Sequence, residues 1–286
     1  MFNLKIENIT GQSIILTQNE SNFQVYQIDG LNPPTAQINV STITGMDGSK
    51  YNSSRLNERN LVIYVKLRGD IEANRLLLYS YFPTSQWCKI YYQNGSRNVY
   101  VEGYVETNEV NLFTNNEIMQ ISIICPNPYF KDVQLIIDDI SKVIQKFKFP
   151  FSININEPIP YSTIELEQVK NIVNASESET GLIINAQFGG EVDELEIRNT
   201  VTGESLTLNY SFEENDTLVI DCNKGSKAIT LTRDGIEYNL IPYLQRGSTF
   251  FQLRTGDNKF TYLADEGVSD QLVSIQFSHY NVYRGV

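Results

Sequence analysis

At 286 residues the chain exceeds one average domain, so two domains of ordinary size are expected. It is 41% hydrophobic and 20% charged, enough apolar content to bury real cores, which excludes a wholly disordered chain. The net charge of −12, with a pI near 4.6, excludes a reader of nucleic acid, because phosphate binding needs clustered Lys and Arg.

The first thirty residues read as a meander. Leu4 and Ile6 alternate with polar neighbours, Asn8 to Gly11 turns, Ile14 to Leu16 returns, and Val25 to Ile28 makes a further strand. Gly30-Leu31-Asn32-Pro33-Pro34 breaks the pattern, since two prolines force an extended path without ladder bonds. Ile38, Val40 and Thr42 alternate again before the turn Gly45-Met46-Asp47-Gly48. The polar stretch from Ser49 to Asn60 carries Tyr51, Arg55 and Arg59. It reads either as an arm that reaches a neighbouring subunit or as a disordered hairpin tip. Leu61, Ile63, Val65 and Leu67 form a strand closed by Gly69-Asp70. Ile71, Arg75, Leu78, Tyr79 and Phe82 then fall at spacings of three and four, which predicts a helix ending before Pro83.

Lys89 to Tyr92 leads into Asn94-Gly95, a hairpin signal because both residues tolerate positive φ. Val99, Val101, Gly103 and Val105 continue as a half-buried strand. Ile118 to Ile124 is a more continuous apolar strand, stopped by Cys125-Pro126-Asn127-Pro128. From Lys131 to Phe147 the apolar spacing suits a helix, while the Ile-rich composition also permits a strand or a bent connector. Pro150, Pro158 and Pro160 mark Phe147 to Pro160 as a linker.

From Tyr161 onward nearly every segment reads as strand. Leu206, Leu208, Tyr210 and Phe212 alternate strictly, as do Val273, Ile275 and Phe277. Turns fall at Gly189-Gly190, Thr202-Gly203, Asn223 to Gly225, Asp234-Gly235 and Gly256-Asp257. Short strands at such spacing predict an antiparallel sandwich or barrel.

The chemistry of an enzyme is missing from this pattern. Cys88, Cys125 and Cys222 form no close pair, which argues against a disulfide framework and against zinc, and predicts buried or neutral thiols. The single histidine, His279, has no Gly-x-Ser-x-Gly elbow beside it and reads as structural. Asp138-Asp139 and Glu213-Glu214 read as solvated faces and turns. Asn223-Lys224-Gly225-Ser226-Lys227 lacks the spacing of a phosphate loop. No catalytic, cofactor-binding or metal-ligating residue is assigned, and no cofactor is expected. The N-terminus lacks the plan of a secretory signal, and no apolar run approaches the ~20 residues of a membrane span, so membrane insertion is not expected.

Several of these motifs occur together and in order in one family. Gly30-Leu31-Asn32-Pro33-Pro34, Gly45-Met46-Asp47-Gly48, Arg59 before a strand, and Arg75 to Phe82 are followed by Gly103-Tyr104-Val105-Glu106 and Asn111-Leu112-Phe113. Cys125-Pro126-Asn127-Pro128-Tyr129-Phe130 completes the first half. Phe147 to Phe151, Thr180-Gly181, Thr202-Gly203-Glu204, Lys224 to Lys227, Ser248-Thr249-Phe250-Phe251, Gly256-Asp257-Asn258 and Tyr283-Arg284-Gly285-Val286 follow. In this succession the chain resembles the distal tail proteins of long-tailed phages that infect Gram-positive bacteria.

The resemblance implies a mainly β protein: an N-terminal barrel- or sandwich-like domain with one helix, over 1–130, and a C-terminal antiparallel galectin-like β-sandwich over 161–286. A connector spans 131–160. It implies a structural, non-enzymatic hub of the virion tail tip or baseplate, in a phage or prophage particle. Its partners would be five further copies in a hexameric ring, the tail tube protein, the tail-associated tip protein, and receptor-binding or fibre proteins. The ring would leave a channel for DNA without binding any particular sequence. On that division, a fragment ending just after Phe130 or at Phe147 would still form rings. The alternative is a carbohydrate-binding adhesin acting through the C-terminal sandwich. Active galectins use a His-x-Asn-x-Arg motif and a stacking Trp. Here Arg284 stands one position late after His279 and Asn281, a shift that turns a strand side chain to the other face, and Trp87 lies in the other domain.

Overall fold

The computed structural model describes residues 2–18, 22–111, 117–145, 162–166, 169–264 and 272–286. The expectations at Leu112 and Phe113, from Phe147 to Pro160, and at Gln271 lie outside them. The chain forms two compact units, Met1–Val133 together with Val282–Val286, and Gln134–Asn281.

The first unit contains strands β1 (Asn3–Asn8), β2 (Ser13–Leu16), β3 (Phe23–Asp29), β4 (Ala36–Ser41), β5 (Lys50–Leu56) and β6 (Arg59–Leu67). After helix α1 (Ile71–Tyr81) come β7 (Trp87–Gln93), β8 (Asn98–Val110), β9 (Ile118–Cys125) and β10 (Phe130–Asp132). All but β4 and β5 join one antiparallel sheet in the order β2-β1-β7-β8-β9-β6-β3, with β10 beside β8. The C-terminal Val282–Tyr283 pairs with β10 in the same sheet. The sheet curls until its edge strands touch at one parallel bridge, Thr17 to Gln24, without closing into a barrel. Alternation explains which residues face inward: Leu61, Ile63, Val65 and Leu67 are buried on β6, and Met119, Ile121, Ile123 and Cys125 on β9.

Helix α1 forms where the spacing predicts it. The Asp70 side chain caps the helix by accepting from the Ala73 N–H at 3.1 Å. The Phe82 N–H closes the last turn on Leu78, and Pro83 follows. Leu78 and Phe82 enter the core of the sheet. The Asn94-Gly95 hairpin also forms, though by a different device. Neither residue takes positive φ; the Asn94 side-chain oxygen accepts from the N–H groups of Ser96 and Arg97.

The second unit begins with β11 (Ile136–Asp139) and β12 (Ser141–Gln145), so over the described residues up to Gln145 the helical reading gives way to strand. The reason is tertiary: β11 pairs along its length with a late strand, Asp138 opposite Phe277, and the ladder continues with the Ile140 N–H donating to Ile275. The other strands are β13 (Ser162–Leu166), β14 (Lys170–Asn174), β15 (Thr180–Gly181), β16 (Ile183–Phe188), β17 (Val192–Asn199), β18 (Ser205–Phe212), β19 (Thr217–Asp221), β20 (Ala228–Arg233), β21 (Ile236–Asn239), β22 (Gln252–Leu253), β23 (Gly256–Ala264) and β24 (Leu272–His279). Two antiparallel sheets, β11-β24-β16-β19-β20-β21 and β14-β23-β17-β18, enclose one core. Aromatic rings bridge them: Phe188 stacks on Phe212 with centroids 4.2 Å apart, and Phe260 lies 5.1 Å from Phe277. This is the β-sandwich expected from the strand spacing.

Candidate functional site: an exposed arm and its root

Strands β4 and β5 pair only with each other and leave the sheet as a two-stranded ribbon. Every residue of β4 is exposed, and so is β5 apart from half-buried Leu56. The stretch read from sequence as an arm or a hairpin tip supplies one strand of this paired ribbon. Its cross-strand register sorts the side chains by face. Gln37, Asn39, Ser53 and Arg55 share one face, where Arg55 donates to Gln37 at 2.9 Å and Asn39 to Ser53 at 3.0 Å. Ala36, Ile38, Val40, Tyr51, Ser54 and Leu56 share the other, which is mainly apolar, with the Tyr51 and Ser54 hydroxyls 2.9 Å apart. On this apolar face Ile38 is 61% exposed, Val40 53% and Tyr51 59%. An isolated hairpin is marginally stable in water, and one with a bare apolar face needs something to cover it.

The root of the arm is built by residues far apart in sequence. The β3–β6 ladder runs from Phe23 opposite Leu67 to Asp29 opposite Val62, and pairing resumes where the Asn57 N–H donates to Thr35, just before Ala36 opposite Leu56. Between them, Pro33 and Pro34 have no N–H to give, so the carbonyls of this segment need other donors. Arg59 supplies them. Its guanidinium, only 2% exposed, donates to the carbonyls of Gly30 and Asn32, the latter at 2.8 Å, to Pro128 at 2.8 Å and to Arg284 at 2.5 Å. It also stacks on the Phe130 ring, 4.3 Å from the centroid. Its neighbour across the sheet, Cys125, is held neutral by burial, which pushes the thiol up to about 12. The charge of Arg59 is therefore met by carbonyl dipoles and a ring. The Val286 N–H donates to the Leu31 carbonyl at 3.1 Å. Gly30 has φ +89°, and a Cβ there would lie 2.1 Å from the Asn60 carbonyl oxygen, so only glycine fits. Four motifs noticed separately in the sequence thus meet at one place: Gly30 to Pro34, Arg59, Cys125 to Phe130, and Tyr283 to Val286.

The residues weighed for chemistry do not assemble into an active site. Burial pushes the thiols of Cys88 and Cys222 up to about 12, like Cys125. No metal-ligating cluster occurs among the described residues. His279 is buried in β24, and neither ring nitrogen has a partner at normal hydrogen-bond geometry. Burial holds its pKa below the ordinary value, against the opposing pull of Asp138. Arg284 belongs to the first unit, where its carbonyl serves Arg59, so the galectin-type motif is divided between the units. A cleft of about 360 Å³ on the β17–β18 face is lined by polar groups including Glu194, Glu196, Arg198, Thr207, Gln245 and Arg246, without an aromatic platform. Its Arg198 is already engaged by Glu196 at 2.7 Å.

The acidity of the chain is unevenly placed. The first unit holds eleven Lys and Arg against twelve Asp and Glu, the second eleven against twenty-two. A strongly acidic surface therefore belongs to the second unit alone.

Residues 175–280 match the model of the siphovirus-type tail component, C-terminal domain. The likeness to phage distal tail proteins holds. The fold agrees along the whole chain with a solved distal tail structure, the Dit protein (gp 19.1) of phage SPP1, described as a paradigm of the hub adsorption apparatus in phages infecting Gram-positive bacteria. The match has a TM-score of 0.67 at 15% identity and covers 98% of this chain and 99% of that one. Chains of the phage P2 baseplate in its activated conformation match at 11% identity over 98% of both chains. Their TM-scores are 0.53 with calcium and 0.50 with strontium. None of the curated proteins matches by sequence.

Proposed function

We propose that the protein is a non-enzymatic hub of a phage tail tip, in which copies join through the hairpin arm into a closed, six-membered ring. The observation that carries this reading is the arm's uncovered apolar face on an otherwise self-contained unit. A second copy of the chain is the natural cover, because every protomer then both gives and receives one arm, and a head-to-tail contact makes a ring when the rotation between copies closes. The fold shared with a hub protein and with baseplate chains supports the same role. The first unit would form the ring, continue the tail tube and leave a channel for DNA. Its near-balanced charge gives such a wall little electrostatic hold on passing nucleic acid. The acidic sandwich would stand outside the ring and carry the tip and receptor-binding proteins, in the virion tail. Buried neutral thiols and a buried neutral histidine support a structural rather than catalytic part.

Mixed-isotope cross-linking tests the arm contact. Light and heavy protein are combined, and amine cross-links from Lys50, next to the arm's tip, are sorted by isotope. Abundant heavy–light pairs joining Lys50 to the first unit of another copy are expected. Cross-links confined to single chains would count against an arm that reaches its neighbour.

A further inference from the structure

We infer that the segment Val282–Val286 is a latch that sets the position of the arm, so that a chain can bind a second copy only once this segment has docked. This rests on the reading of the arm as the assembly element and concerns how that element is controlled.

The main β ladder does not carry the sheet's orientation into the arm. Pairing between β3 and β6 stops at Asp29 and Val62, and the ribbon begins afresh at Ala36 and Leu56. In the gap, three successive carbonyls, those of Gly30, Leu31 and Asn32, accept from Arg59 or from the Val286 N–H. One arm of the same guanidinium is held by the carbonyl of Arg284. Gly285 presses on the proline turn: a Cβ at that position would lie 3.0 Å from Pro33 Cδ and 3.1 Å from Pro33 N. The segment is anchored independently of the arm. Tyr283 pairs with Phe130, lies under the Arg97 guanidinium at 3.7 Å from the ring centroid, and donates to Asp132 at 3.3 Å. One end of the segment is thus fixed to the sheet and the other fixes the arm's entry strand. Removing it leaves the Leu31 carbonyl without its donor and Arg59 without one of its acceptors. A fragment ending at Phe130 or Phe147, assembly-competent on the sequence division, is for this reason expected to fold its sheet without holding its arm.

Hydrogen exchange on this chain, dilute enough to be monomeric, tests this with Gly285→Val, which crowds the segment against Pro33, and with the milder Val286→Asp. Amides of 36–41 and 50–57 are expected to exchange at least tenfold faster than in the wild type, while 59–67 and 98–110 keep their protection. Ring formation by the same variants at high concentration is expected to be lost. Unchanged exchange in the arm would overturn the proposal. So would loss of protection in sheet and arm together in both variants, because the end would then be holding the sheet. If the wild type itself forms no rings, the reading of the arm as an assembly element fails, while the exchange comparison still decides whether the latch exists.

Discussion

Replacing Ile38 and Val40 together by threonine removes the apolar character of the arm while keeping β-branched residues that suit a strand. Both side chains are more than half exposed in the single chain, at 61% and 53%, so that fraction is what a partner would cover. Full burial of an Ile or Val side chain contributes about 1.5–3 kcal/mol, so each of these contributes about 1–1.5 kcal/mol to an arm contact. The double change then weakens each contact by about 2–3 kcal/mol, roughly 30- to 150-fold in its dissociation constant. Because the residues contact little in the single chain, folding stability is expected to stay within about 0.5 kcal/mol of wild type. Light scattering after size exclusion across a concentration series gives the assembly curve, and chemical unfolding gives the stability. Asn39→Ala on the polar face serves as the control and is expected to assemble normally. An assembly curve identical to wild type for Ile38→Thr/Val40→Thr would refute the assignment of this face to the contact.

Two buried groups predict acid sensitivity of the second unit. His279 has a folded pKa below its ordinary 6.5, so the unfolded chain binds a proton that the folded chain does not, and stability falls as pH drops through 6.5. Asp216 is 1% exposed; burial alone would raise its pKa, but the hydrogen bonds and charge of Arg233 and the Glu213 N–H outweigh this and lower it below 3.8. Its contribution is therefore present above pH 3.8 and lost below it, whereas His279→Leu is expected to remove only the upper step in a series of melts against pH. Arg233→Ala leaves Asp216 without its guanidinium and is expected to cost about 2 kcal/mol by denaturant unfolding, less than for a fully buried pair because Arg233 is 21% exposed. With thiols at about 12, none of Cys88, Cys125 and Cys222 should react with iodoacetamide at pH 8 until the chain unfolds, which mass spectrometry reads directly. Gly30→Ala meets the Asn60 carbonyl and a positive φ, and is expected to lower the melting temperature of the first unit by several degrees or more.

Period-two alternation was enough to place β6, β8 and β18, because each has one face in a core and one outside it. The spacing of Ile71, Leu78 and Phe82, with Pro83 after, was enough to place α1. At 131–147 the spacing of isoleucines fits both periods, and only pairing to β24 decides it, a long-range fact that no local window contains. The arm was visible as a polar stretch, yet its two faces depend on register, which a shift between Asn39 and Val40 resets. The root was least visible. Arg59, the Pro33-Pro34 turn and Arg284 look like unrelated loop residues until the chain brings positions 225 apart into one hydrogen bond. A signal was present in retrospect: a double proline removes ladder donors, and a lone arginine opening an apolar strand is a ready source of them.

The central claim, that copies of this chain close into a ring, is tested most directly by native mass spectrometry of the purified full-length protein over a range of concentrations. A discrete species of six copies, growing with concentration and abolished by Ile38→Thr/Val40→Thr, is the result expected. A protein that stays monomeric at the highest concentration, or that forms an open-ended ladder of oligomers with no preferred size, would contradict it.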